Sequence, residues 1–225
     1  MEKPLADREV TPILFSAKPL SKSFHRRLIF EDISFSLKER QSLAITGKNG
    51  SGKSTIAKII CGLLSPDKGS IQCSVAGKEI SSEDLFNHIG FVSPYINLYD
   101  EFSGIENLVL IGNIRGIPVD KMSQADDLLK RFGLFDRRND EVHGYSSGMK
   151  QRLKYAAALL HHPEILVLDE PTANLDAEGI GVVREAMRAQ LQTGILIIAT
   201  NDEDDLEFAG ARIDLDRSRI IQKRT

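Results

Sequence analysis

The stretch Gly47-Lys48-Asn49-Gly50-Ser51-Gly52-Lys53-Ser54-Thr55 constrains this chain more than any other, because its spacing Gly-x-x-x-x-Gly-Lys-Ser is that of a loop that cradles phosphate. Gln41 to Thr46 before it reads as a short buried strand. Lys53 to Leu64 after it carries Ile56, Ile59, Ile60 and Leu63 at helical spacing. Gly47, Gly50 and Gly52 let the backbone take conformations closed to residues with a Cβ, so successive amides can turn toward one anion at a helix N-terminus. Lys53 can place an ammonium between β- and γ-phosphates, and the Ser54 hydroxyl suits a Mg²⁺ that bridges them. The expected ligand is therefore Mg²⁺-nucleoside triphosphate.

At 225 residues the chain suits one α/β domain, with room for subdomains but not for a second domain of that kind. A formal net charge of −3 argues against a nucleic-acid binder driven by a general positive field. Cys61 and Cys73 match no metal spacing and fall in segments expected to be buried. No apolar run approaches the roughly 20 residues needed to cross a bilayer, and the first residues lack the apolar core of a signal peptide. Any service to a membrane is expected from its cytosolic face.

Residues 1–12 read as a loose lead-in, followed by one domain over 13–225. Ile13 to Ala17 and Ile33 to Leu37 have strand composition, and Ser70 to Val75 with Gly77 to Ile80 suggest a further hairpin in the same antiparallel layer. His88 to Val92 reads as a buried strand. A helical insertion is then expected over about 95–162, with one stripe of Ile105, Leu108 and Ile111 and another of Met122, Ala125, Leu128, Leu129 and Phe132. The βα alternation resumes with the strand Ile165 to Leu168, a helix lined by Ile180, Val183, Met187 and Leu191, the strand Gly194 to Ala199, and short strands at Ile213 to Leu215 and Ile220-Ile221. This order predicts an α/β fold: a parallel sheet core, about 13–94 and 163–225, with an antiparallel β subdomain and a helical subdomain.

Two further constellations carry chemistry. Ile165-Leu166-Val167-Leu168 runs into Asp169-Glu170, which puts two acids at the C-terminal end of a buried strand, where such sheets bind ligands. Asp169 can hold the Mg²⁺ shell, and Glu170 can accept the proton of a water attacking the γ-phosphate. Gly144-Tyr145-Ser146-Ser147-Gly148-Met149 opens the helix of Leu153, Ala156, Ala157 and Leu160, either as an ordinary N-cap or as a second anion-ready helix start.

Gly-Lys-Asn-Gly-Ser-Gly-Lys-Ser-Thr, then Tyr-Ser-Ser-Gly-Met-Lys-Gln-Arg, then Ile-Leu-Val-Leu-Asp-Glu-Pro-Thr-Ala-Asn-Leu-Asp, in that order, resembles the nucleotide-binding subunit of an ABC transporter. The resemblance runs from about Ile13 onward. It implies the phosphate-loop ABC ATPase domain, with ATP and Mg²⁺ as ligands. It also implies a head-to-tail homodimer, or a pair with a second ATPase subunit, in which one copy's phosphate loop and the other's signature turn close on one ATP. By this resemblance Phe24 stacks on adenine, Gly47 to Thr55 is the phosphate loop, Ser146 with Gly148 is the signature, and Asp176 is the dimer-crossing aspartate. Asp169 and Glu170 become the metal-shell acid and the catalytic base. Phe24 has core packing as its plain alternative, and Asp176 has helix capping.

Two departures from the family pattern matter. Pro94 stands where a glutamine is usual, and proline has no side-chain donor or acceptor. Asn201 stands where a histidine is usual; its amide can bond a γ-phosphate but carries no proton, and it can equally serve as an N-cap for Asp202 to Asp205. Tyr145, Ser147 and Met149 also alter the signature. The resemblance implies an ATPase, slow because of Pro94 and Asn201, that powers an exporter through a separate multi-span permease, peripheral on the cytoplasmic face of the inner membrane. The length and early end suggest the cytochrome c maturation and haem export group, with polysaccharide and drug exporters next. A soluble ABC-type switch in assembly and a slow ATP-binding module are the alternatives. Tyr95, Leu98 and Tyr99 are the expected exposed surface for a permease.

Overall fold

The computed structural model describes residues 11–117, 123–216 and 219–222. Residues 1–10 of the expected lead-in, and Met122 of the expected helical stripe, lie outside the described residues.

Two sheets carry the fold. The antiparallel sheet has the order β2-β1-β4-β5, from β1 (Ile13–Phe24), β2 (Arg27–Lys38), β4 (Lys68–Val75) and β5 (Lys78–Ile80). The other has six strands in the order β10-β9-β3-β8-β7-β6, built from β3 (Ser42–Thr46), β6 (Ile89–Val92), β7 (Ile165–Asp169), β8 (Ile195–Ala199), β9 (Ala211–Asp214) and β10 (Arg219–Gln222). Strands β6, β7, β8, β3 and β9 run parallel, and β10 returns antiparallel to β9. β3, β7 and β8 are buried along their whole length, as strands covered on both faces must be.

The helices are α1 (Lys53–Ile60), α2 (Gly104–Ile114), α3 (Ser123–Arg131), α4 (Ser147–Leu159) and α5 (Ala177–Thr193). One core joins the antiparallel sheet and α1 to one face of the parallel sheet through Phe15, Leu20, Ile56, Ile60 and Ile197. A second gathers α2, α3, α4 and α5 on the opposite face around Leu108, Leu129, Phe132, Tyr155 and Met187.

Several boundaries differ from expectation for identifiable reasons. β1 continues past Ala17 because Pro19, which has no N–H for a ladder, falls where the pairing skips from Ala17 to Leu20 on one side and from Lys18 to Ser21 on the other. β2 starts at Arg27, well before Ile33, because His25 and Arg26 make a two-residue turn with both φ positive, at 46° and 68°. His-Arg lacks the Asn-Gly chemistry by which such turns are usually read. α1 stops at Ile60: Gly62, at φ 71°, takes the left-handed conformation that ends helices, and Leu63 of the expected stripe is 65% exposed. Leu98, expected on the surface, is half-buried against the helical core, whereas Tyr95 and Tyr99 are exposed. Cys61 and Cys73 are buried, and burial pushes both thiols up, Cys73 to about 11, so neither is a ready nucleophile.

Candidate functional site

The site forms where the parallel strands end. β3 delivers the chain into a turn with Gly47 at φ 147°, Gly50 at 79° and Gly52 at 106°. A Cβ on Gly52 would stand 2.4 Å from Cγ2 of Ile29, so at this position glycine is required by space as well as by φ. The helix α1 begins at once with Lys53, whose N-terminal amides face the turn.

Lys53 is buried, and its ammonium donates to the Gly47 carbonyl at 2.9 Å and to Asn201 Oδ1 at 2.9 Å. Asn201 Nδ2 in turn donates to Asn49 Oδ1 at 2.6 Å, so this residue, second past the end of β8, is stitched to the phosphate loop and Lys53 from both ends of its amide. This corrects the capping alternative for Asn201. The turn it was expected to cap is a short 3₁₀ helix over Asp204–Phe208, and the hydroxyl that accepts from Asp202 N, at 2.9 Å, belongs to Thr200. Thr200 could be passed over because it closes an apolar strand, where a threonine reads as strand composition.

Asp169 ends β7 fully buried, with Ser54 Oγ donating to its Oδ1 at 3.1 Å and Ser93 Oγ to its Oδ2 at 3.2 Å. Glu170 follows at φ 51°, a left-handed conformation unusual for glutamate, held by its N–H to the Ala199 carbonyl at 2.8 Å. That geometry turns its carboxylate away from Asp169 and to 3.6 Å from the Lys53 ammonium. Lys53, Ser54, Asp169, Glu170 and Asn201 all line one open cleft of 610 Å³, together with Asn49, Gly50, Gly52, Thr55, Pro94 and Tyr95.

An all-oxygen pair of one hydroxyl and one carboxylate is the donor set that suits Mg²⁺, which keeps waters and takes its remaining ligands from substrate phosphates. Among the described residues no cluster of three or more His, Cys, Asp or Glu could hold a metal unaided.

Other residues singled out in the sequence sit outside this cleft. Lys48 is exposed, with its N–H donating to Asp216 Oδ2 at 3.0 Å, and Ser51 Oγ is buried with no partner among the described residues. Phe24 is half exposed at the β1–β2 tip, its ring 5.4 Å from the Lys22 ammonium. Ser146 caps α4, accepting from Met149 N at 3.2 Å, and Gly148 lies in the first turn of that helix. Asp176 caps α5, accepting from Gly179 N at 2.8 Å. Tyr145 is buried and donates from its hydroxyl to the Arg137 carbonyl at 2.7 Å, so the altered signature residue anchors the turn from inside.

Asp205 was not anticipated. It is buried and accepts from Thr200 Oγ1 at 2.8 Å and more distantly from Thr172, tying the loop after β8 to the turn after Glu170. Burial pushes its carboxyl above the ordinary range, reinforced by the charge of Asp202 and opposed by the two hydroxyls and Arg184. A raised carboxyl favours the folded state below its unfolded value, and that contribution is lost as pH rises through the folded value. Asp205→Asn is therefore expected to gain stability relative to wild type as pH rises above the unfolded carboxyl value of about 3.9, the gap widening until the folded carboxyl ionises. Parallel melting curves of the two proteins from about pH 4 upward check it, each ~1 kcal/mol of gap being read as about 2–4 °C in a chain of this length.

A glycine-rich loop, a strand-end acid pair and a parallel sheet define a phosphate-loop nucleotide-binding protein. The chain belongs to the ABC transporter family, whose model matches residues 30–173, and its fold is that of the family's ATPase unit. It is 34% identical to the linearmycin resistance ATP-binding protein LnrL of Bacillus subtilis, over 92% of this chain and 68% of that one. It is 35% identical to the Nod factor export ATP-binding protein I of Bradyrhizobium diazoefficiens, over 80% of this chain but only 59% of that protein's length. A solved ATP-binding subunit of an ABC transporter superposes with a TM-score of 0.82 at 28% identity, covering 94% of this chain and 90% of that one.

Proposed function

We propose that this chain binds Mg²⁺-ATP in the cleft at the strand ends and hydrolyses it as the motor of a membrane exporter. The observation that carries the reading is the convergence of Lys53 and Ser54 from α1 with Asp169 and Glu170 from the end of β7 on one cleft, with the Lys53 ammonium held by loop carbonyls where a triphosphate would meet it. Loop amides from Gly47 to Thr55 and Lys53 bind the phosphates. Ser54 and Asp169 would hold Mg²⁺, which supplies charge neutralisation at the β- and γ-oxygens. Glu170 accepts the proton of the attacking water. Asn201 meets the γ-phosphate through its amide in exchange for its bond to Lys53, and Phe24 stacks on adenine.

The signature turn and Asp176 act on the nucleotide of a second copy. Their capping bonds leave that role open, since Ser146 Oγ accepts in its cap and keeps its own O–H to donate to a phosphate, and the Gly148 amide lies in the first turn of α4, where helix N–H groups lack an internal partner. Turnover is slow, because Asn201 cannot carry a proton and Pro94 offers no side-chain group to the water. The exporter direction is drawn from the linearmycin resistance and Nod factor export proteins named above, whose names point away from the haem branch of the expected cargoes. A separate multi-span permease is proposed as partner, with this chain on its cytoplasmic face and docking near the exposed Tyr95 and Tyr99; no helix among the described residues is long and apolar enough to cross a membrane.

Sedimentation of the purified chain tests the assembly. A shift from monomer to dimer is expected in saturating Mg²⁺-ATP, and Ser146→Arg, which puts a bulky cation at the signature, should abolish it while lowering the melting temperature only by the few degrees, about 2–4 °C, that loss of the α4 cap costs. A chain that stays monomeric and releases no phosphate under these conditions overturns the reading.

A further inference from the structure

The side chain that orients Asp169 from behind is not in the phosphate loop. Ser93, directly after β6, is 1% exposed and does not line the cleft, yet its hydroxyl donates to Asp169 Oδ2 at 3.2 Å. Ser54 Oγ occupies the other oxygen at 3.1 Å, so two donors from two elements fix the plane of one buried carboxylate. The backbone of Ser93 is itself fixed: its carbonyl accepts from Ile96 N at 3.2 Å and from the Lys154 ammonium at 3.4 Å, which also reaches the Pro94 carbonyl at 3.1 Å. The hydroxyl is thus held between the end of β6 and α4, aimed at the far oxygen of the acid.

We propose that Ser93 is a positioning residue for magnesium, holding Asp169 through its outer oxygen so that the inner one, with Ser54, presents to the cation. The proposal rests on the assignment of Asp169 to the metal. Hydrogen-bond partners behind a metal ligand fix its orientation, and their loss typically costs 10–100-fold in metal affinity. Ser93 matters here because Pro94, its neighbour, contributes no polar side chain to the cation or the water.

Titration calorimetry with ATP, in EDTA and across a series of Mg²⁺ concentrations, tests it. For Ser93→Ala the affinity for ATP in EDTA is expected to match wild type, while the Mg²⁺ concentration giving half of the magnesium-dependent tightening rises by about tenfold. Added to Asp169→Asn, Ser93→Ala should cause no further loss of ATP affinity at fixed Mg²⁺, because its effect runs through that carboxylate. An unchanged Mg²⁺ midpoint, an equal loss with and without Mg²⁺, or an additive loss in the double variant overturns the role of Ser93. Wild-type affinity indifferent to Mg²⁺ instead overturns the assignment of Asp169, and the proposal with it.

Discussion

Glu170→Gln is expected to lower the steady-state rate of ATP hydrolysis by about 10²–10⁴-fold, the usual contribution of a positioned general base. The substitution conserves shape and removes only the ability to take a proton. Glu170 is held at φ 51° by its backbone bond to Ala199, so the amide should stand where the carboxylate did. Its loss of charge also frees the Lys53 ammonium from a competitor 3.6 Å away, so affinity for Mg²⁺-ATP should be kept or slightly raised. The expected pairing is therefore a collapsed rate with an ATP-bound dimer that accumulates, read by phosphate release and sedimentation on the same samples. Hydrolysis at the wild-type rate would remove Glu170 from its role.

Lys53→Ala is expected to weaken Mg²⁺-ATP by at least about 100-fold, roughly 3 kcal/mol, the cost of deleting a desolvated charge partner of phosphate. The ammonium is already directed by its bonds to Gly47 and Asn201, so little ordering is needed when phosphate arrives. The truncation strips that donor and leaves Glu170 facing the cleft with no cation beside it, which repels an incoming triphosphate. Calorimetry with Mg²⁺-ATP, beside a melting curve to separate binding from folding, reads the effect. Undiminished affinity would mean the triphosphate lies elsewhere.

These two residues show how Asn201 changes the economy of the site. A neutral amide after β8 can bond Lys53 and Asn49 simultaneously, accepting from one and donating to the other, at any pH. The same neutrality withholds from a γ-phosphate the second positive partner that a protonated histidine would add to Lys53. Slow turnover is proposed on that ground.

The phosphate loop, the acid pair after β7 and the alternation of strands and helices were legible in the chain because each depends on local spacing: glycines where φ must be positive, apolar runs where both faces are covered, carboxylates where a buried strand ends. Less local matters were not. The hairpin at His25-Arg26 carries no turn signal of its own, and Pro19 reads as a strand end until the register shift on either side of it is known. Leu63 has helical spacing but falls beyond a left-handed Gly62.

By itself the sequence determined the fold class and the loop that a triphosphate would enter, since backbone freedom and apolar periodicity are properties of neighbouring residues. Only the tertiary structure decided that Ser93 lies behind Asp169, that Asn201 reaches Lys53 from 148 residues away, and that Asp205 is buried between two threonines. Apart from the local bond of Asp205 to Thr200, those contacts join side chains of distant segments that end at the same edge of the parallel sheet, and such partners are chosen by sheet order, which no spacing along the chain encodes.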